Sequence, residues 1–237
     1  MPESLGNDLI VLPPGWVCDS CNNVCSAFEE RLMRASILGV ERCRMGVMTK
    51  KRKPAKASLY GVSWYSEPEK PTNVVTAEAS WDAIPLIPRG NGYYTMPLPL
   101  HDDSNRDIAR LLLKMGVELM VVKQRSSGPR WGFSMAKAAV LGRDAEAWPY
   151  FELRVNEPPP RLVSVLVNAP EEHEYTLSCG FDLFLHEING KAIIFFRYGH
   201  FWAAESLIDR STEWSAALAE WGIHFVGCPA EFSNLNR

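Results

Sequence analysis

Apolar residues recur at helical spacing in several stretches of the chain. The clearest stretch starts at Ser104, which together with Asp107 forms a capping-box-like beginning. Its apolar face carries Ile108, Leu111, Leu112, Met115, Leu119 and Val122. A second helix is predicted at 23–38, with Gly39 as its stop, and shorter ones at 133–141, 144–150 and 211–220. We expect the helix that starts at Ser104 to pack its apolar face into the core.

Runs rich in β-branched and aromatic residues predict strands in the remainder of the chain. These runs lie at 59–65, 73–77, 93–98, 162–167, 175–179, 181–188, 191–198, 201–207 and 223–226. Asn189-Gly190 separates two of them and is a strong hairpin signal. The pattern therefore predicts an α+β fold whose C-terminal half is an antiparallel β-meander with one face on the core.

Composition places the chain among ordinary globular proteins. It has 237 residues, of which 46% are hydrophobic and 22% charged. About 18 consecutive apolar residues are needed to span a membrane, and the sequence contains no such run. The residues after Met1 also lack the basic and apolar regions of a signal peptide. We therefore expect no membrane partner and a cytoplasmic location.

Charge is distributed unevenly along the sequence. Residues 31–56 hold nine basic side chains and one acid, Glu41, a local net charge of +8 that leaves −11 elsewhere. Lys50, Lys51, Arg52 and Lys53 are consecutive, and Pro54 stops any helix before them. Residues 49–56 are therefore predicted to be a solvated basic arm. Such an arm either neutralises the phosphates of a nucleic acid or simply keeps the surface soluble.

Six cysteines are too few for a disulfide scaffold, and three of them are clustered. Cys18 and Cys21 form a C-x-x-C directly before the predicted helix, which is typical of a zinc knuckle. This pair supplies two of the four ligands that structural zinc needs. Cys25 and Cys43 are candidates for a three- or four-thiolate site, while inert thiols and a redox pair are the alternatives.

Two segments resemble the cysteine-containing form of the HNH endonuclease family. They are Met1-Pro2-Glu3-Ser4-Leu5-Gly6-Asn7 and Val17-Cys18-Asp19-Ser20-Cys21-Asn22-Asn23, in the order and separation of that family. The resemblance covers about the first 25 residues well and later stretches more loosely. It implies a ββα-metal module in which a His activates water and Mg²⁺ or another divalent ion stabilises the scissile phosphate.

The resemblance also implies roles for individual residues. Asn22 stands at the last position of the H-N-H pattern and would be a metal ligand. Asn23 beside it would cap the helix. The family's catalytic His and first C-x-x-C would lie before Met1, so no catalytic residue is assigned in this sequence. We expect the chain to start inside the motif and to be inactive or impaired as a nuclease.

The sequence thus predicts a partial HNH-like module at 1–48, a basic arm at 49–56 and an α+β companion domain at 57–237. The function that follows is phosphodiester hydrolysis on DNA in the complete family form, with structural zinc. The alternative is a non-catalytic protein that binds protein or ligand through its β-meander. An in-frame Glu-His codon pair immediately upstream of Met1 would favour the nuclease, and an early stop codon there would not. The sequence specifies no oligomeric state.

Overall fold

The fold belongs to the α+β class, as predicted. The computed structural model describes residues 5–6, 12–59, 61–68, 75–78, 87–90, 93–97, 105–124, 132–155, 162–166, 181–199, 201–220 and 223–225. The helices are α1 (Asp19–Ala35), α2 (Ile37–Arg44), α3 (Asn105–Gln124), α4 (Ser134–Val140) and α5 (Ser215–Glu220). The strands are β1 (Lys56–Leu59), β2 (Val62–Tyr65), β3 (Thr76–Glu78), β4 (Ile87–Gly90), β5 (Tyr93–Pro97), β6 (Tyr150–Val155), β7 (Leu162–Leu166), β8 (Phe181–Ile188), β9 (Lys191–Tyr198), β10 (Phe201–Ser206) and β11 (Ile223–Phe225).

The strands form three antiparallel sheets. Two sheets have three strands each, in the orders β1-β2-β3 and β4-β5-β7. The largest sheet has the order β11-β6-β10-β9-β8, so the predicted meander β8-β9-β10 makes up one side of it. Strand β6 was not predicted; it joins this sheet next to β10, where Ala204 pairs with Phe151.

The largest sheet is covered on both faces. In β9, the residues Ala192 through Phe196 are all buried. Ile194 and Phe196 point into a core shared with α1, α3 and α4, while Ile193 and Phe195 point into a second core beneath α5. The prediction that only one face lies on the core is therefore wrong. Trp214, which is 1% exposed, fills the second core just before α5.

The Asn189-Gly190 turn is confirmed. Both residues have positive φ, 51° and 73°, and Ile188 pairs with Lys191 on either side of them. Two successive positive φ angles define the type I′ turn, whose twist matches that of the flanking strands. This local signal fixes the register of β8 against β9.

The break between α1 and α2 lies at Ser36, not at Gly39. Ser36 has extended backbone angles, and its Oγ accepts from the Leu38 N–H at 3.1 Å and donates to the Leu32 carbonyl at 2.8 Å. Gly39 continues the chain inside α2. It is close to α1, since a Cβ on Gly39 would lie 2.7 Å from the Met33 carbonyl oxygen. The glycine therefore permits close packing and does not end the helix.

Other predicted elements differ because of tertiary contacts. Residues 144–149 are irregular, not helical: Asp144 and Glu146 pair with Arg210, and the Trp148 Nε1–H donates to the Ser206 carbonyl at 2.8 Å. The predicted run at 59–65 is split by a turn into β1 and β2. Val122 is 41% exposed, because α3 leaves the core after Met120. The predicted strand at 175–179 and the Ser104 cap lie outside the described residues.

Helix α1 packs in the same core as α3. Phe28 and Leu32 of α1 share this core with Leu112 and Met115 of α3. Between the two helices, the Lys114 ammonium lies 2.8 Å from Glu29 Oε1 and 3.1 Å from Glu118 Oε1. The thiol pair at the start of α1 is therefore carried on an element anchored by both apolar and ionic contacts. The boundaries predicted at 48 and 56 remain predictions.

Candidate metal and nucleic-acid binding residues

The C-x-x-C pair lies at the N-terminus of α1. Cys18 is the N-cap residue, and its Sγ accepts from the Cys21 backbone N–H at 3.4 Å. Ser20 Oγ lies 3.4 Å from the same sulfur. Hydrogen bonds from the Cys21 side chain and from Ser20 lower the pKa of Cys18 to about 7. The exposed Cys18 sulfur therefore has a large thiolate fraction near neutral pH.

Cys21 is the second member of the pair and is half-buried. Its hydrogen bond with Cys18 and its partial burial raise the pKa of its thiol, and the charge of Arg143 opposes this rise. Arg143 follows α4 and was not predicted to belong to the site. No local pattern identifies it, because only the packing of α4 brings it near α1.

The structure places both asparagines inside α1. Helix α1 begins four residues before Asn23, because the Cys18 sulfur caps it and Asp19 in the first turn favours the helix dipole. The prediction that Asn23 caps the helix is therefore wrong. Asn22 lies one turn into α1, where its backbone N–H donates to the Cys18 carbonyl at 2.9 Å and its side chain is exposed.

Cys25 and Cys43 do not join the pair. Cys25 is 4% exposed and packs in the core with α3, and Cys43 is fully buried, its thiol donating to the Trp64 carbonyl at 3.4 Å. Burial raises the pKa of each thiol to about 11. Both behave as apolar core residues, so they do not form the three- or four-thiolate site for which they were candidates. Cys179 and Cys228 lie outside the described residues.

The HNH resemblance implies structural zinc and a catalytic divalent ion, and the donor set fits these two metals differently. Across the described parts of the chain, no three His, Cys, Asp or Glu side chains are close enough to hold a metal ion. Cys18 and Cys21 fit two positions of a tetrahedral zinc site and leave two for ligands from elsewhere. Asn22 offers one amide oxygen, which does not fit a catalytic Mg²⁺ site without neighbouring carboxylate or imidazole ligands.

The predicted basic arm is a compact turn. The Thr49 N–H donates to the Lys53 carbonyl at 2.8 Å, the Arg52 N–H to the Thr49 carbonyl at 2.8 Å, and the Lys53 N–H to Thr49 Oγ1 at 3.1 Å. Met48 and Pro54 form a β-bridge at its base. Its four cationic side chains are all exposed: Lys50, Lys51, Arg52 and Lys53. We call residues 49–53 the basic turn.

Several other basic residues of the 31–56 stretch form ion pairs within the protein or are buried. Arg31 binds Asp107 on α3, Arg34 binds Glu30 on its own helix, and the buried Arg44 lies 2.7 Å from Glu41. Arg42 is 9% exposed. The local net charge of +8 is therefore larger than the positive charge exposed at the surface of this stretch. Most of that exposed charge belongs to the basic turn. Lys56 lies over the Tyr65 ring.

No described helix is both long and apolar enough to cross a lipid bilayer. A comparison of the chain with protein-family models, with curated proteins and with solved structures finds no match in any of the three.

Proposed function

We propose that the protein binds the phosphate backbone of DNA through the basic turn. The observation that carries the proposal is the conformation of that turn. Three hydrogen bonds fix it, and its four consecutive cationic residues are all exposed. Because the backbone of the turn is already fixed, less backbone conformational entropy is lost when its side chains bind phosphates.

Arg52 strengthens this interpretation. It has a φ of 54°, in the left-handed region that glycine and asparagine occupy at lower energy. Arginine places a guanidinium at this position of the turn, and a guanidinium forms paired, charge-assisted hydrogen bonds with phosphate.

The HNH resemblance supports a nucleic acid as the partner and extends the proposal to phosphodiester hydrolysis in the complete family form. In that form Cys18 and Cys21 would supply half of a structural zinc site, which stabilises the fold around it. Among the described residues, no three His, Cys, Asp or Glu side chains are grouped as a metal-ligand set for hydrolysis. We therefore propose that this chain binds DNA in the cytoplasm without cutting it efficiently.

The test is fluorescence anisotropy of a labelled DNA duplex over a series of salt concentrations. Alanine at Lys50, Lys51, Arg52 and Lys53 should weaken binding. It should also reduce the slope of log K against log salt by about 0.9 for each phosphate contact that is lost. Arginine at the three lysines keeps the charge and should keep both quantities, and Lys137→Ala, on the exposed side of α4, should change neither.

An unchanged salt slope in the alanine variant would favour the second function, a non-catalytic protein that binds protein or ligand and uses the basic turn for solubility. Cleavage is assayed separately, with supercoiled plasmid and Mg²⁺ or Mn²⁺. Metal-dependent nicking that Asn22→Ala abolishes would overturn the proposal that this chain lacks efficient cleavage.

A further inference from the structure

Two cysteine sulfurs are hydrogen-bonded to each other at the start of α1. Cys18 is the N-cap residue, and Cys21 lies in the first turn of the helix. The Cys21 thiol is hydrogen-bonded to the Cys18 sulfur, and the Cys21 backbone N–H donates to the same sulfur at 3.4 Å. The Cα atoms of residues three apart in a helix are about 5 Å apart, within the range that a disulfide bridges. The pair is therefore placed to form a disulfide without unfolding the helix.

The two thiols differ in their access to solvent. Cys18 is exposed, as are Asp19 and Ser20 beside it, so a large substrate can reach the Cys18 sulfur. Cys21 is half-buried and lies next to that sulfur. In thiol–disulfide exchange the accessible sulfur attacks first, and a neighbouring thiol then displaces the group that has been attached. The geometry matches this division of labour.

The other described cysteines do not compete for these roles. Cys25 follows Cys21 by one turn of α1, but it is 4% exposed and packs in the core. Cys43 is fully buried. Exchange requires that a sulfur be accessible to the substrate disulfide. Of the four described cysteines, Cys18 and Cys21 are therefore the pair that can react.

We propose that Cys18 and Cys21 form a thiol–disulfide exchange site. Its substrate is a disulfide, either that of a small molecule such as oxidised glutathione or that of a peptide. Cys18 forms the mixed disulfide with the substrate, and Cys21 resolves it. This activity is separate from DNA binding and does not rest on it.

The exchange balances in two steps. The Cys18 thiolate attacks one sulfur of the substrate disulfide, whose S–S bond breaks, and the other substrate sulfur leaves as a thiolate and takes up a proton. Cys21 then loses its proton and attacks the Cys18 sulfur of the mixed disulfide, which releases the second substrate sulfur as a thiol. The two protein thiols are thereby oxidised to one disulfide, and the substrate disulfide is reduced to two thiols.

The first experiment follows a single turnover of the full chain with oxidised glutathione, in the presence of a zinc chelator. Remaining thiols are alkylated, and mass spectrometry identifies the products. The parent should release two glutathione molecules and gain an internal disulfide within the tryptic fragment 1–31, which contains Cys18, Cys21 and Cys25. Cys21→Ser should stop with one glutathione attached to Cys18. Cys18→Ser, which keeps a side chain that caps helices, should react about tenfold more slowly or less.

The matched control is Cys25→Ala. It removes a thiol from the same helix and the same tryptic fragment, but a buried one, and should give the products and rate of the parent. Circular dichroism checks that every variant is folded. The inference would be overturned by equal rates of glutathione attachment in Cys18→Ser and Cys21→Ser. A parent that retains glutathione without forming the internal disulfide, or that does not react, would overturn it as well.

The second experiment identifies the source of the disulfide. A peptide with one internal disulfide replaces oxidised glutathione at the same concentration, and the rates of formation of the Cys18–Cys21 disulfide are compared. A faster reaction with the peptide assigns a polypeptide substrate, and a faster reaction with glutathione assigns a small molecule. Formation of the Cys18–Cys21 disulfide with neither substrate would overturn the inference.

Discussion

Arg31 of α1 and Asp107 of α3 form two parallel hydrogen bonds, from Nε at 2.8 Å and from Nη2 at 2.9 Å. The carboxylate raises the pKa of Arg31, chiefly through this hydrogen bonding. The contact joins the helix that carries the thiol pair to the longest helix of the fold. It also neutralises one of the charges that make the 31–56 stretch look basic.

The ion pair should contribute modestly to stability. Arg31 is 59% exposed, so solvent screens the pair, and Arg31→Ala should reduce the free energy of unfolding by about 0.5–1 kcal/mol. Arg34→Ala removes a more exposed pair within one helix and should cost about 0.3 kcal/mol or less. Urea denaturation of both variants at low and high salt measures the difference. Equal losses would show that the contact between the two helices carries no extra stability.

Gly116 should not tolerate a side chain. A Cβ there would overlap Leu207 and lie 3.1 Å from Ile194 Cδ1, where α3 packs on the largest sheet. We expect Gly116→Ala to destabilise the protein by about 1–3 kcal/mol through overpacking. Gly132→Ala is the control, because a Cβ at that position meets nothing within 4 Å. Thermal denaturation should separate the two variants, and similar melting temperatures would contradict this account of the packing.

Glu205 should make stability depend on pH. It lies fully buried on β10, neither carboxyl oxygen has a hydrogen-bond partner among the described residues, and burial alone raises its pKa well above 4.5. The folded state therefore keeps this proton to a higher pH than the unfolded state does. The stabilising contribution is fully present below about pH 4.5 and is lost as pH rises toward the folded-state pKa.

Glu205→Gln removes this dependence. Relative to the parent, the variant should gain about 1.4 kcal/mol for each pH unit above 4.5 until the folded-state pKa is reached. Glu220→Gln, at an exposed position on α5, should show no such gain. Urea denaturation between pH 5 and 8 provides the measurement. Parallel pH profiles for the parent and Glu205→Gln would rule out a buried neutral carboxyl.

Replacing Arg52 by glycine should change the stability of the fold and its DNA affinity in opposite directions. Arg52→Gly relieves the positive φ of 54° and should stabilise the fold by about 0.5–1 kcal/mol, while removing one cation from the basic turn. In thermal denaturation the melting temperature should rise, whereas the salt-dependent anisotropy assay on the same preparation should show weaker DNA binding. If DNA affinity stayed constant while stability rose, Arg52 would not be a phosphate contact.

The sequence predicted best what is decided locally. The bounds of β8 and β9 and the turn between them agree with the structure, because the propensity of β-branched and aromatic residues and the Asn189-Gly190 turn signal both act over short range. The sequence placed both Cys18 and Cys21 before the helix, but α1 begins at Asp19, so only Cys18 precedes it and Cys21 lies in its first turn. The predictions that were wrong depend on contacts between residues distant in sequence. Arg210 pairs with Asp144 and Glu146, and residues 144–149 are not helical. Gly39 lies inside α2 because the close approach of α1 leaves no room for a side chain there.

The candidate site shows the same division. The four cations of the basic turn are consecutive, so their exposure followed from the sequence. The neutralisation of Arg31 by Asp107 did not, because the two residues lie on different helices. Nor did local spacing show that Cys25 and Cys43 are core residues. Their burial depends on α3 and on the sheet formed by β1, β2 and β3.

Strand β9 lies between the two cores and contributes buried side chains to both. Loss of either core would expose apolar side chains of the same strand to water, so neither core can melt without weakening the other. The two halves of the described fold should therefore unfold together, and the slowest amide protons to exchange with solvent should be those of β9.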